Sequence, residues 1–232
     1  MLRGVIFDFN GTLARLSHWR SHRDVFTAHG LGALARGWGE AWDHALDDGA
    51  RHEEASRTAA GFRDWELARL RARVVRHGVP ESRAGALADD LDEATKTMTM
   101  TAYADAGPAL AALHGLGIRT AVCSNWHWDL DGALRDSGLG GWFAVAVTSA
   151  RAGMRKPDPR IYRMTLAACG LTPEETLFVG DMWGPDVAGP RAVGMRAAYL
   201  CRTGPFPDHP VDGVWCVRDL AEVVPLARGL TC

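Results

Sequence analysis

Val5-Ile6-Phe7-Asp8-Phe9-Asn10-Gly11-Thr12 is the stretch that decides how this chain is read. Three apolar residues run straight into an aspartate, and a glycine follows three positions later. A short continuous apolar run closed by a turn signal predicts a buried parallel strand. Asp8 then falls at the strand's carboxyl end, the edge of an open α/β sheet where ligands bind. A carboxylate in that place can serve as a nucleophile or as a metal ligand.

The rest of the second half repeats this pattern. Strands are expected at Ile118–Cys123, Phe143–Val147, Thr176–Val179, Met195–Leu200 and Val214–Val217. Between them, helices are expected at Leu130–Ser137, at Pro159–Cys169 with proline at its start and Gly170 after it, and at Asp186–Val193. A last helix, Leu220–Arg228, is capped by Asp219. This alternation predicts a doubly wound parallel, Rossmann-like sheet with right-handed crossovers. Residues 16–105 look different. Helical periodicity predicts Ser17–His29, Leu34–Leu46, Glu53–His77 with a break near Gly61, and a fourth helix from Ser82 into the Thr97–Tyr103 region, with no strand. The expected organisation is an α/β core from residues 1–15 and 106–232, with an all-helical domain of residues 16–105 inserted after the first strand. Arg202–Asp212, rich in proline, reads as an ordinary surface loop.

Composition narrows the classes. The 232 residues carry a net charge of −2, which gives no basis for a nucleic-acid or anionic-membrane surface. No apolar run approaches the ~18 residues that span a bilayer. The first strand begins almost at Met1, so no signal peptide is expected. Cys123, Cys169, Cys201, Cys216 and Cys232 form no metal-binding spacing and read as reduced thiols. The expected location is the cytoplasm. Only two lysines occur, Lys96 and Lys156, in a chain whose usual cation is arginine. That makes Lys156 conspicuous.

Four strand ends carry polar groups: Asp8 with Asn10, Ser124-Asn125, the segment Arg155-Lys156-Pro157-Asp158, and Gly180-Asp181 followed by Asp186. In a parallel sheet these ends share one edge. Phosphoryl transfer needs such a set: an in-line nucleophile, cations against the phosphoryl oxygens, and neutral donors around the equatorial plane. Asp8 is the candidate nucleophile. Mg²⁺ would be held by oxygen ligands from Asp8, Asp181 and Asp186, with Asn10 counted among both the metal-side and the catalytic candidates. Lys156 would screen charge, Ser124 and Asn125 would donate to the substrate, and Thr12 would support the loop. Trp126 and His127 follow Asn125 and are further substrate-side candidates. So is Arg20, in the cluster His18-Trp19-Arg20-Ser21-His22-Arg23. The bland reading of that cluster, and of Trp38 and Trp42 one helical turn apart, is core tryptophans and a solvated basic face.

Taken in order, these segments resemble the motifs of the haloacid dehalogenase superfamily. Asp8-Phe9-Asn10-Gly11-Thr12 is similar to the first motif, Asp-x-Asp-x-Thr in the family's phosphatases. Val122-Cys123-Ser124-Asn125 is similar to the second and Lys156-Pro157-Asp158-Pro159-Arg160-Ile161-Tyr162 to the third. Gly180-Asp181-Met182-Trp183-Gly184-Pro185-Asp186 is similar to the fourth. The inserted helices resemble the cap of subclass I, and the Lys-Pro and Gly-Asp-x-x-x-x-Asp forms resemble its IA branch. The resemblance implies Mg²⁺, an aspartyl-phosphate intermediate, and a cap that closes over substrate. The expected substrate is a small phosphorylated metabolite, and the expected assembly a monomer or homodimer.

Asn10 departs from that pattern. In the family's phosphatases the second aspartate protonates the leaving group and then activates water, and an asparagine cannot carry that proton. Several explanations stay open. The leaving group needs no proton, as in an acyl phosphate or anhydride; another group such as His127 serves; the residue was substituted to trap a complex; or the protein binds phosphate with little hydrolysis. Two rivals within the superfamily are weaker. Dehalogenases lack the paired acids of the fourth motif, and phosphonate cleavage needs a cap lysine, for which only Lys96 is available.

Overall fold

The computed structural model describes residues 1–38, 51–206 and 212–231. The chain forms two compact units, Met1–Arg15 with Met100–Cys232, and Leu16–Thr99. Its strands are β1 (Gly4–Phe7), β2 (Ala14–His18), β3 (Thr99–Ala102), β4 (Arg119–Ser124), β5 (Val145–Thr148), β6 (Thr176–Gly180), β7 (Arg196–Leu200) and β8 (Val214–Val217). The helices of the first unit are α4 (Ala106–Gly115), α5 (Leu130–Asp136), α6 (Ser149–Ala152), α7 (Pro159–Cys169), α8 (Gly189–Ala192) and α9 (Val223–Thr231). Those of the second are α1 (His22–Ala28), α2 (Ala59–Arg76) and α3 (Glu81–Lys96).

Six strands form one parallel sheet in the order β5-β4-β1-β6-β7-β8. β1 is central because Val5, Ile6 and Phe7 offer apolar side chains to both faces, and all three are buried. Leu177, Phe178 and Val179 of β6 do the same. Register then sets the site. Phe7 lies opposite Val122 of β4 and Val179 of β6, so Asp8, Ser124 and Asp181 emerge together at the carboxyl edge. The strand order departs from β1 in both directions, which makes this edge the switch point of the sheet.

Helix α7 shows how local sequence locks onto the sheet. The Asp158 side chain accepts the Arg160 N–H at 3.0 Å, Pro159 opens the first turn, and Gly170 closes the helix in the left-handed region at φ 62°. Ile161, Tyr162, Thr165, Leu166 and Cys169 recur at helical spacing and are buried. All but Thr165 join Ile6, Cys123 and Phe178 in one core cluster.

In the second unit, Ser21 and Asp24 form a reciprocal capping box at the start of α1. Val25, Phe26, Trp38, Leu70, Val74, Leu87 and Leu91 build its core.

Several local expectations need correction. Ala14–His18 is a strand, so the expected helix from Ser17 begins only at His22. Likewise α3 ends at Lys96, and Thr99–Ala102 is strand; β2 and β3 pair as a two-stranded sheet where the chain passes between the units. Thr97-Met98-Thr99-Met100-Thr101 alternates with a period of two, with Met100 buried and Thr99 and Thr101 exposed, and that signal outweighs the helical one. The break expected near Gly61 falls at Thr58, whose hydroxyl caps α2 by accepting the Gly61 N–H at 3.0 Å. Of the helix expected at Leu34–Leu46, residues 39–46 lie outside the described residues. Leu34 itself sits in a 3₁₀ turn, Gly32–Ala35, followed by an extended Arg36. The helix expected at Asp186–Val193 is a wide turn, Trp183–Ala188, running into the short α8.

If α7 is oriented by its buried stripe, Ile161→Ala costs about 2–5 kcal/mol. Met164→Ala, on the exposed face of the same helix, stays within about 0.5 kcal/mol. Urea denaturation of both variants checks this, and equal costs would contradict the assignment of faces.

Candidate active site

The centre of the carboxyl edge is a buried lysine between two carboxylates. Lys156 Nζ donates to Asp8 Oδ1 at 2.7 Å and to Asp186 Oδ1 at 2.6 Å. Asp8 Oδ1 also accepts the Ser124 hydroxyl at 2.8 Å. Asp186 Oδ2 accepts the Met182 N–H at 2.9 Å, which ties the fourth-motif turn to its own aspartate. Phe178 lies beneath, its ring centroid 5.1 Å from the ammonium. Asn125 holds the lysine from behind. Its Oδ1 accepts the Lys156 N–H at 2.8 Å and its Nδ2 donates to the Lys156 carbonyl at 3.1 Å. Thr12 donates its hydroxyl to Asp181 Oδ1 at 3.0 Å.

Two glycines make this convergence possible. Gly11 has φ +85°, and a Cβ there would lie 2.3 Å from Asp181 Oδ2. A Cβ on Gly180 would lie 2.4 Å from Asp186 Cβ and Cγ. Any side chain at either position would occupy the space of a carboxylate-bearing residue, so both sites call for glycine. The Trp183–Ala188 turn is fixed in addition by the Tyr162 hydroxyl, which donates to the Pro185 carbonyl at 2.5 Å.

The charges do not balance. Burial alone would push the Lys156 ammonium toward its neutral form, and the Asp186 and Asp8 carboxylates outweigh that and raise its pKa. Burial raises Asp181 to about 6, with the Asp8 charge adding to it. Burial also raises Asp186, against the pull of Lys156. Three carboxylates thus face one ammonium. One oxygen from each of Asp8, Asp181 and Asp186 lies within 4.8 Å of the others. An all-oxygen donor set with excess negative charge fits a hard divalent cation such as Mg²⁺.

Asp8, Thr12, Ser124, Lys156, Asp181 and Asp186 are therefore brought together. Asn125 stands one step back, with both ends of its amide on the Lys156 backbone. The Asn10 side chain is exposed, and its backbone forms a bridge to Ala14. Trp126 stands edge-on to Phe9 with ring centroids 5.1 Å apart, and its carbonyl accepts the Thr148 hydroxyl at 2.5 Å. The His127 ring is 4.5 Å from that of Trp126, and its carbonyl accepts the same hydroxyl at 2.8 Å. Arg20 belongs to the second unit, 3.7 Å from Asp90. Sequence reasoning missed Phe178 and Thr148. It also missed Arg202, which reaches the Thr12 carbonyl at 2.8 Å, so Arg202 itself is more than part of a surface loop; residues 207–211 of the expected loop lie outside the described residues. Alternation along β6 could have pointed to Phe178; nothing local pointed to the other two.

Residues 2–194 match the family model described as haloacid dehalogenase-like hydrolase. The chain is 32% identical to haloacid dehalogenase-like hydrolase domain-containing protein 3 of Homo sapiens, over 100% of this chain and 94% of that protein. It is 38% identical to a phosphoserine phosphatase of Thermus thermophilus, over 47% of this chain and 43% of that protein. The structure superposes on a 2-haloacid dehalogenase of Pseudomonas syringae with a TM-score of 0.64 at 21% identity, covering 100% of both chains. That last likeness concerns the fold.

The partly buried carboxylate at position 181 has a thermodynamic signature. A folded-state pKa near 6 lies above the ordinary carboxylate value of 3.8. Its contribution to stability is therefore full below pH ~4 and is lost as pH rises through ~6. In chelator, Asp181→Asn is expected to gain on the unmodified protein between pH 4 and 7, by at most about 3 kcal/mol. Urea denaturation across that range checks it, and a difference independent of pH would contradict the burial argument.

Proposed function

Since this chain belongs to the haloacid dehalogenase-like hydrolase family, we propose that it is a Mg²⁺-dependent phosphatase-like hydrolase in which Asp8 forms an aspartyl phosphate that water then cleaves. The observation that carries this reading is the buried Lys156 between Asp8 and Asp186, with Asp181 beside them. Both side-chain bonds to Asp8 among the described residues end on Oδ1, so attack on phosphorus falls to Oδ2. Lys156 and Ser124 fix the plane of the nucleophile through Oδ1, and both can follow the phosphoryl oxygens as charge shifts. Asp8, Asp181 and Asp186 would hold Mg²⁺, with Asn10 contributing beside them. When bound, the cation neutralises the phosphoryl oxygens. Asn125 keeps the lysine in place through its backbone.

The phosphatase direction has two supports. A phosphatase-named relative is 38% identical over part of the chain, and two acids, Asp181 and Asp186, follow β6. The substrate is a small phosphorylated metabolite, and the inserted unit, expected over residues 16–105 and compact over Leu16–Thr99, selects it as a cap. Trp126, His127 and Arg20 are carried as substrate-side candidates. We place the enzyme in the cytoplasm, as a monomer or homodimer, with no nucleic-acid or membrane partner; no helix of the described residues is long and apolar enough to cross a membrane.

Asn10 restricts the chemistry. Its amide can orient a leaving oxygen but has no proton to transfer. A missing general acid costs about 10²–10⁴ in rate wherever the leaving group needs one. The best substrates are therefore those with a stable leaving anion, acyl phosphates or anhydrides. The same residue favours a second reading, a phosphate-binding protein without turnover.

Mg²⁺-dependent phosphate release is measured over monoesters, acyl phosphates and anhydrides, for this protein and for Asn10→Asp. The expected result is release from acyl phosphates or anhydrides, with a gain of about 10²-fold or more on monoesters in the variant. Efficient monoester cleavage by the unmodified protein would mean that another group supplies the proton. Halide release from haloacids without metal would favour the dehalogenase. No release by either form would leave the binding-protein reading in its place.

A further inference from the structure

The segment after β7 carries an arginine that the reaction outlined above does not use. Arg202 Nη1 donates to Asp105 Oδ2 at 2.9 Å; Nη2 donates to Asp105 Oδ1 at 3.2 Å and to the Thr12 carbonyl at 2.8 Å. The guanidinium carbon lies 3.6 Å from the Tyr103 ring centroid. Asp105 Oδ2 also accepts the Leu220 N–H at 2.8 Å, and the Tyr103 N–H donates to the Leu13 carbonyl at 3.0 Å. Behind Arg202, Arg218 Nη1 donates to the carbonyls of Cys201 at 3.0 Å and Gly204 at 2.6 Å, holding the turn that presents it.

Thr12 is thereby gripped at both ends. Its carbonyl rests on Arg202 and its hydroxyl on Asp181, and the residue is fully buried. The grip leaves Arg202 Nε buried with no partner among the described residues. An unsatisfied buried donor costs free energy, and such a group calls for an explanation. The ion pair itself is only partly buried, and pairs of that kind contribute little to stability alone. What Arg202 does that a surface pair would not is fix the backbone of the loop that begins at Asp8.

We infer that Arg202, held in place by Asp105, is a positioning residue: it fixes Thr12 so that the Thr12 hydroxyl sets the Asp181 carboxylate for the divalent cation. This rests on the Mg²⁺-dependent reading above. Groups that orient metal ligands from behind change metal affinity or activity by about 10–100-fold when removed.

The test measures Mg²⁺ affinity by calorimetry without substrate, together with kcat, KM and thermal melting. The variants are Arg202→Met, Arg202→Lys, Asp105→Asn, Thr12→Val and the double variant Arg202→Met/Thr12→Val. Arg202→Met and Asp105→Asn are expected to weaken Mg²⁺ binding at least about 10-fold and to lower kcat at saturating Mg²⁺ with KM nearly unchanged. Arg202→Lys, which keeps the positive charge but not the planar two-nitrogen fork, should recover part of the affinity. In the Thr12→Val background, Arg202→Met should have no further effect on Mg²⁺. Two results would overturn the inference while leaving the function intact: wild-type Mg²⁺ affinity in folded Arg202→Met or Asp105→Asn with only a lower melting temperature, or losses that multiply in the double variant. Absence of Mg²⁺ binding by the unmodified protein would remove the functional reading, and this inference with it.

Discussion

The structure turns on one ammonium group, Lys156 Nζ, held away from water by two carboxylates. A buried charge is tolerable only when paired and hydrogen-bonded. Here the pairing joins parts of the chain that are far apart: Asp8 at the end of β1, Asp186 in the turn after β6, and Lys156 ahead of α7. Removing Lys156 would leave two buried carboxylates without their cation, whereas removing either carboxylate would leave the ammonium a single partner. The fold answers with apolar walls, Phe178 below and the α7 stripe beside it, and with Asn125 clamping the lysine's own backbone. Sheet register brings the carboxylates to the edge, and the lysine fixes their orientation there.

A third carboxylate makes the site more than a structural ion pair. Asp181 adds negative charge that the lysine does not neutralise. It is held over Gly11 and by the Thr12 hydroxyl rather than by a cation. A site in this condition takes up a proton or a metal ion. The phosphoryl-transfer reading uses that excess, since a divalent cation and a phosphoryl group together restore the balance of charge. Asn10 fits the same account: it leaves the charge-stabilising part of the machinery whole and removes only the mobile proton. Chemistry on a good leaving group survives that loss better than chemistry on an alkoxide.

Much of this could be read from the chain. The sheet announced itself because a strand buried on both faces is an uninterrupted apolar run, as in Val5-Ile6-Phe7 and Leu177-Phe178-Val179, ended by a polar residue and glycine. Asp8, Ser124 and Asp181 were legible as a group because parallel strands place such ends on one edge; Lys156, expected at a strand end, lies beyond α6 and ahead of α7, and stood out as one of only two lysines. Less visible were features set by partners distant in sequence. Ala14–His18 is five residues long, mostly solvated and polar, so its pairing with Thr99–Ala102 outweighs a weak local preference for helix. Asn125 looks like a substrate donor in sequence, and its amide also matches a backbone N–H and C=O, with its oxygen and one N–H engaged on Lys156. Arg202 lies in a proline-rich stretch that reads as a loop, and its role depends on Asp105 and Thr12, which sequence spacing does not connect to it.

The central claim is that Asp8 carries the phosphoryl group. Its most direct test is to quench the reaction with the best substrate in the presence of Mg²⁺, reduce the trapped acyl phosphate with borohydride, and map the altered residue by peptide mass spectrometry. The account predicts conversion at Asp8 alone, dependent on substrate and absent from Asp8→Asn. Turnover with no modified residue, or modification at Asp181 or Asp186 in place of Asp8, would contradict it.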